Sequence, residues 1–463
     1  MQAYDIAVLT VYMVVLLVYG LWNNTQPKDI QEYAIAGKRY GAPTVFLTIA
    51  ATFIGGGFTI GNAGHTYAYG LVTAFSFLGI SSKEFFVARF VAPHIHKFPG
   101  AISIGDIMVA NYGKVGKVVT GLSGFIVSIG IVAGQIVALS KIFEEFFGLS
   151  AEWSIIIGMS IVTFYSAIGG MVAVVRTDII QFFVLFVGIL SVLVFALLEV
   201  GSLETALANI PADKTTFLGD KTLLAFAALV LFWFIGETLT PAYFSRLLIS
   251  RNFDQVIKAS YGVGVFSTLF IFLPASIGLL GYSLDLVVGD NPDVVFPQIV
   301  NLVLPWWWKP IVLAAILSVI MSSSDSFLNS GAVTFVHDFL KPILPENAIK
   351  NELRLLKIVT LAGGLLTILF TLSGGSVITI LGQSYLFWAP IVLVPLLLSI
   401  WGVPSSPKTF VIASIISALA VVGLYKFTAL GEFNSVVGGF LTSIAAYGVL
   451  GRLAGPGAKD TLP

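Results

Sequence analysis

The chain has no cysteine, so disulfides, thiolate metal sites and cysteine nucleophiles are excluded. Charge is scarce as well: Asp, Glu, Lys and Arg together make up 10% of 463 residues. The 24 basic and 24 acidic side chains cancel, which leaves no basic footprint for nucleic acid. Only four histidines occur, and His65, His94, His96 and His337 are not spaced as a metal site. No Gly-x-x-x-x-Gly-Lys-Ser/Thr motif is present, which argues against ATP-driven work by this chain alone. There is no His-x-x-x-His pair or Ser-His-Asp set to suggest an intramembrane enzyme. No enzymatic activity is expected.

What the sequence has instead is apolar length. Hydrophobic residues make up 57%, and the mean hydropathy is +0.96, far above a soluble domain. Hydropathy predicts an all-α polytopic membrane protein with about 13 transmembrane helices of roughly 20 residues each. The first apolar run, Tyr4 to Trp22, lacks a basic leader and a small-residue cleavage site, so a retained span is expected rather than a signal peptide. With the N-terminus outside, seventeen basic residues, among them Arg176, Arg246, Arg251 and Lys341, fall in cytoplasmic loops. Five (Lys141, Lys214, Lys221, Lys309 and Lys426) fall outside, while Lys83 and Arg89 lie within a span. That asymmetry predicts a multi-pass protein of the plasma membrane (the inner membrane in a bacterium) with a cytoplasmic C-terminus. Trp306, Trp307 and Trp308 suit an interfacial anchor before the ninth span.

Two stretches break the apolar pattern in an informative way. Residues Ser318 to Ser326 place five hydroxyls and the carboxylate of Asp325 inside an apolar span. Polar groups at membrane depth face partners, a cavity or an ion path. Val319, Ser322, Ser323 and Ser326 share one helical face, and hard oxygens beside one acid suit a small hard cation. In the second span Gly55, Gly56 and Gly57 invite unwinding, which would free the carbonyls of Ala51 and Ile54. The same glycines would also serve a close helix crossing.

Ala51-Thr-Phe-Ile54 with its glycines resembles the first core helix of the sodium/solute symporter family, and Ala314 to Ser330 resembles the eighth. Ile168 to Gln181 is similar to the family's fourth-to-fifth helix junction, and Tyr243 to Asn252 to the segment after the sixth. The resemblance covers nearly the whole chain and implies a leucine-transporter-type fold with a 5+5 inverted-repeat core. Its first and sixth core helices would be broken. The implied division is an N-terminal helix and loop in 1–43, a first repeat in 44–200, a second in 201–401, and two further helices with a short tail in 402–463. It also implies a main sodium site made by the carbonyls of Ala51, Ile54 and Val319 and the hydroxyls of Ser322 and Ser323. Asp178, Ser322, Asp325 and Ser326 match a second cation site found in some members, although Asp178 could instead pair with Arg176 at the membrane surface.

Thr52, Phe53, Gly55, Gln135, Trp233, Glu237, Thr240 and Tyr385 are the candidate solute-binding residues. Gly236 and Pro241 are the expected break points of the sixth core helix. Lys83 and Glu84 read better as a buried charge network with Arg89 than as solute contacts. The function these features imply is sodium-coupled symport of a small polar organic solute into the cell by alternating access, with Na+ as coupling ion and no other cofactor. Proton-coupled symport through Asp178, Asp325 or Glu237, or a non-transporting solute sensor, are the alternatives. Family members handle proline and other amino acids, pantothenate, sugars, sialic acid, monocarboxylates, iodide and choline. The Gly-Gly-Gly-Phe and Met-Ser-Ser-Ser-Asp-Ser wording is nearest the choline branch, but Thr240 stands where an aromatic cage for a quaternary ammonium would be favoured. The partners implied are the solute, Na+ and the lipid bilayer, with no obligatory protein.

Overall fold

The computed structural model describes residues 3–21, 27–345, 348–372, 374–428 and 431–454. Trp22, at the foreseen end of the first span, and the tail from residue 455 lie outside them. Where described, the chain is helical, because in hydrocarbon the backbone can satisfy its own hydrogen bonds only within a helix or a closed barrel. In chain order the helices that matter here are α1 (Ala3–Leu21), α2 (Ala42–Phe53), α3 (Gly57–Tyr69), α4 (Val72–Phe86), α5 (Ile104–Phe147) and α6 (Ala151–Val200). They continue with α7 (Leu223–Gly236), α8 (Pro241–Leu248), α9 (Phe253–Ser283), α10 (Val295–Val303) and α11 (Lys309–Ile343). Last come α12 (Glu352–Thr371), α13 (Val377–Trp401), α14 (Pro407–Phe427) and α15 (Gly431–Arg452).

Among the described residues, eight helices are long and apolar enough to cross a bilayer, or up to ten if each of two bent pairs is one span. The remaining crossings foreseen from hydropathy do not meet that measure for visible reasons. The third carries Lys83, Glu84 and Arg89, while Tyr4–Gly20 and Ala151–Thr163 are short apolar helices. The fifth and sixth foreseen spans run together as α6, which bends at Gly170, where φ is +61°. A side chain other than glycine would be strained there.

The bent pairs are the expected broken helices. α2 and α3 meet at 64° across Ile54–Gly56, and α7 and α8 at 56° across Glu237–Thr240. Gly236 ends α7 and Pro241 opens α8, where proline's missing N–H costs nothing. The segments flanking the two breaks are tied at one end of the molecule: Tyr40 N–H donates to Ile249 O (3.1 Å) and Arg251 N–H to Tyr40 O (3.0 Å).

Burial separates the centre from the lipid face. In α11, 89% of the most apolar stretch is buried, against 22% in α14, whose Leu419 stands 68% exposed. The hydroxyls of α11 therefore face protein on every side, which makes this helix the framework of the site.

At one end of the molecule, the loop between α9 and α11 carries the buried Asp293, whose Oδ2 accepts the Val377 N–H (2.8 Å) at the start of α13. Burial pushes its carboxyl up to about 6, against the lowering effects of that hydrogen bond and of Lys141. The folded state thus holds the proton more tightly than the unfolded chain. The group's stabilising contribution is complete below its ordinary value of 3.8 and is lost as pH rises through about 6. Asp293→Asn is expected to shrink the drop in melting temperature between about pH 4 and about pH 8. An unchanged drop would assign the pH dependence to another group.

Candidate functional site

α2 ends at Phe53, and the carbonyls of a helix's last turn have no intrahelical partner. Two of them are met by α11: Ser322 Oγ donates to Ala51 O (2.8 Å) and Ser323 Oγ to Thr52 O (2.7 Å). Val319 O also lies within reach of Ser322 Oγ (3.2 Å). Ile54, fully buried, has left helical geometry with ψ at +74°. The structure therefore brings Ala51, Val319, Ser322 and Ser323 to one buried contact between α2 and α11, with Ile54 following at the break. Its oxygens are uncharged, and the carbonyl end of a helix dipole favours positive charge. That donor set fits a monovalent hard cation, whereas a divalent one would want carboxylates.

The glycine-rich break is shaped by Gln135 on α5. Its Oε1 accepts the Gly56 N–H (2.5 Å), and a Cβ on Gly55 would come 2.6 Å from the same oxygen. A Cβ on Gly56 would come 2.4 Å from the Cβ of Ala138, so glycine is required there by close approach, and the Gln135 hydrogen bond fastens α5 to the break.

Asp178, Asp325 and Ser326 also meet, but around a group the sequence had placed in a loop. Arg246 is fully buried, with Nη2 3.4 Å from Asp178 Oδ2 and hydrogen-bonded to Ser326 Oγ. Asp178 is fully buried, and its Oδ2 accepts from Arg246 and from Thr48 Oγ1. Ser326 Oγ lies 3.1 Å from Asp325 Oδ1 and donates to Ser322 O (2.5 Å). Asp178 Oδ1 and Asp325 Oδ2 are buried with no hydrogen-bond partner. The guanidinium thus meets Asp178 directly and Asp325 only by way of Ser326, so with both acids ionised the cluster is one positive charge short. Counting Arg246 as a loop residue hid this, because α8 carries it back into the protein.

Next to these clusters lies a small cavity lined by Thr52, Phe53, Gln135, Glu237 and Thr240 from the candidate solute residues, and by Lys83, Tyr243 and Arg246. Glu237 Oε1 accepts the Tyr385 hydroxyl (2.9 Å), so Tyr385 stands behind the wall and orients Glu237. Trp233 packs edge-on against Phe77 at 4.4 Å, away from the lining. Lys83 does not join Arg89; its Nζ lies 3.1 Å from Glu237 Oε2 and 4.0 Å from Glu84 Oε1. The cue available in the sequence was position alone: an ionisable residue within a span belongs to the interior or a cavity by default.

One further cluster, Asp106, His337 and Asp338, has ligand atoms close enough for a metal ion. Lys117 Nζ already fills its centre, 2.6 Å from Asp106 Oδ1 and 3.1 Å from His337 Nε2, and ties α5 to α11.

The family model for the sodium:solute symporter family matches residues 33–403, well over half of the chain. The chain is 24% identical to a sodium/proline symporter of Haemophilus influenzae over 74% of its own length and 72% of that protein. It is 25% identical to the human high affinity choline transporter 1 over 75% of its length and 64% of that protein. Among solved structures, a Na+-coupled sialic acid symporter in a substrate-bound outward-open state superposes over the full length of both chains. Its TM-score is 0.86 at 19% identity, a likeness of fold. A nucleobase-cation-symport-1 family transporter follows at TM-score 0.55 and 13% identity, covering 91% of this chain and 95% of that one.

Proposed function

Since the chain belongs to the sodium:solute symporter family, we propose that it couples sodium entry to uptake of a small polar organic solute by alternating access. The observation that carries this reading is the meeting of α2 and α11. Ser322 and Ser323 reach carbonyls freed by a helix break, beside a cavity bearing charged and polar groups. Sodium would be held by the carbonyls of Ala51, Ile54 and Val319 and the two hydroxyls, and would supply positive charge that draws the break against α11. The residues do the rest. Gln135 holds Gly56 and so links the break to the cavity wall, and Glu237 and Lys83 present charges to a solute. Thr52 belongs to both: its carbonyl meets Ser323, and its side chain lines the cavity.

Each sodium charge crossing 100 mV makes about 2.3 kcal/mol available, enough to concentrate a neutral solute by tens of fold. The N-terminus would lie outside and the C-terminus in the cytoplasm, as the distribution of basic residues suggests. A second cation site at Asp178 and Asp325 is supported by the missing positive charge there, which sodium or a proton would supply.

The test is thermal stability of the purified protein against a solute panel in sodium and in potassium. A solute that stabilises only in sodium supports coupled binding. A stabilisation that follows acidification, and is indifferent to sodium, would replace sodium by a proton as the coupling ion.

A further inference from the structure

Lys83 has an unusual place for a lysine. It is 1% exposed, on α4, and its residue lines the cavity. An ammonium has three donors. Among the described residues only Glu237 Oε2, at 3.1 Å, is a hydrogen-bonding acceptor; Glu84 Oε1 stands beyond hydrogen-bond reach at 4.0 Å, and its other oxygen accepts the Tyr243 hydroxyl (2.6 Å). The other directions meet aromatic faces, with Nζ 4.5 Å from the Phe53 centroid and 4.9 Å from that of Tyr243. Ring faces hold a cation through the ring quadrupole alone, without a hydrogen bond. A carboxylate oxygen offers a charge-assisted hydrogen bond, about twice as strong as a neutral one.

The other charges on the wall are already engaged. Among the lining residues Glu237 is the single acid, its other oxygen engaged by Tyr385, and Arg246 is met by Asp178, so Lys83 is the cation left with open donors. Gln135 has its oxygen committed to Gly56, which leaves its amide nitrogen as a neutral donor. A cationic solute would find the two rings already taken by the protein's own ammonium, and would face like charge at close range. The free space is about 20 Å³, room for one water, so a solute enters only as the walls part. The long flexible arm of Lys83 is well placed to turn from Glu237 toward an arriving anion.

We propose that this cavity takes a small solute bearing a carboxylate, with Lys83 as the group that receives it and discriminates against amines and quaternary ammonium compounds. The assignment rests on the symport reading above and adds the chemical class of the solute. Glu237 keeps Tyr385 when Lys83 turns away, and would accept an amino group if the solute is a zwitterion.

The experiment equilibrates the full-length purified protein with a small-molecule extract of bacterial cells, in sodium and in potassium, and identifies the retained solute by mass spectrometry. Affinity for that solute and for its carboxamide is then measured in the parent protein, Lys83→Met and Lys83→Arg, each first shown to elute as a single folded species. The expected solute is a carboxylate retained only in sodium and bound at least about 30-fold tighter than its carboxamide, the loss typical of one missing buried charge partner. Lys83→Met should bring the two within about threefold, and Lys83→Arg should restore part of the preference. A sodium-dependent solute without a carboxylate, or a preference that survives Lys83→Met, overturns the assignment and leaves symport standing. Absence of any sodium-dependent retention overturns the symport reading, and this assignment with it.

Discussion

Ser322→Ala is expected to raise the sodium concentration for half-maximal solute uptake by about 10- to 100-fold, the equivalent of roughly 1.5–3 kcal/mol for a lost contact to a charged group. The magnitude follows from its position. Ser322 Oγ stands between Ala51 O and Val319 O, so the substitution removes the oxygen that would bridge α2 and α11 through the ion. Ser323→Ala is expected to act in the same direction, because its hydroxyl meets the neighbouring carbonyl of Thr52. Folding should change little by comparison, since a neutral hydrogen bond contributes only about 1 kcal/mol. Ser318→Ala is the control: that hydroxyl bonds Ala314 O within its own helix (2.7 Å) and Tyr12 of α1, apart from the break. Sodium titration of solute uptake in proteoliposomes reads all three variants. Equal sodium dependence in Ser322→Ala and the parent would remove the ion from this contact.

The second large effect is on folding. Arg246→Met is expected to destabilise by about 3–5 kcal/mol, because it removes one partner from a buried pair and leaves charge without a counterion. Asp178 and Asp325, both fully buried, would then be left without the Arg246 cation. Adding Asp178→Asn to Arg246→Met should recover a substantial part of the loss, since one of the two acids is neutralised while Thr48 retains a partner. Melting curves of the parent, both single variants and the double variant close that cycle. If Arg246→Met matched the parent in stability, the guanidinium would not be the counterion its geometry indicates.

How much of this was legible beforehand depended on whether the signal was local. The two breaks announced themselves through Gly55–Gly57 and through Gly236 and Pro241, because glycine and proline act on the backbone where they stand. The hydroxyl face of α11 was equally readable from helical spacing. Partnerships across the bundle were not. Nothing in the neighbourhood of Arg246 in the sequence points to Asp178, 68 residues away, and counting charges by loop assigned it to the membrane surface. Lys83 and Glu84 were recognised as buried, but Lys83 meets Glu237 at the second break and Glu84 accepts from Tyr243, rather than either joining Arg89 one helical stretch along. Tyr385 was foreseen as a wall residue and stands one layer behind, where its hydroxyl positions Glu237. Local chemistry identified the charged groups, and only the packing of distant helices could decide which of them meet.

The two hydrogen bonds that join Tyr40 to Ile249 and Arg251 have a mechanical meaning. They connect the segment entering α2 with the segment leaving α8, so the bent helices are yoked at one end although some 200 residues of chain separate them. A load applied to one half-helix is carried directly to the other through two short struts, without passing through the cavity. Any swing at that end must either turn both half-helices as a single lever or shear the struts.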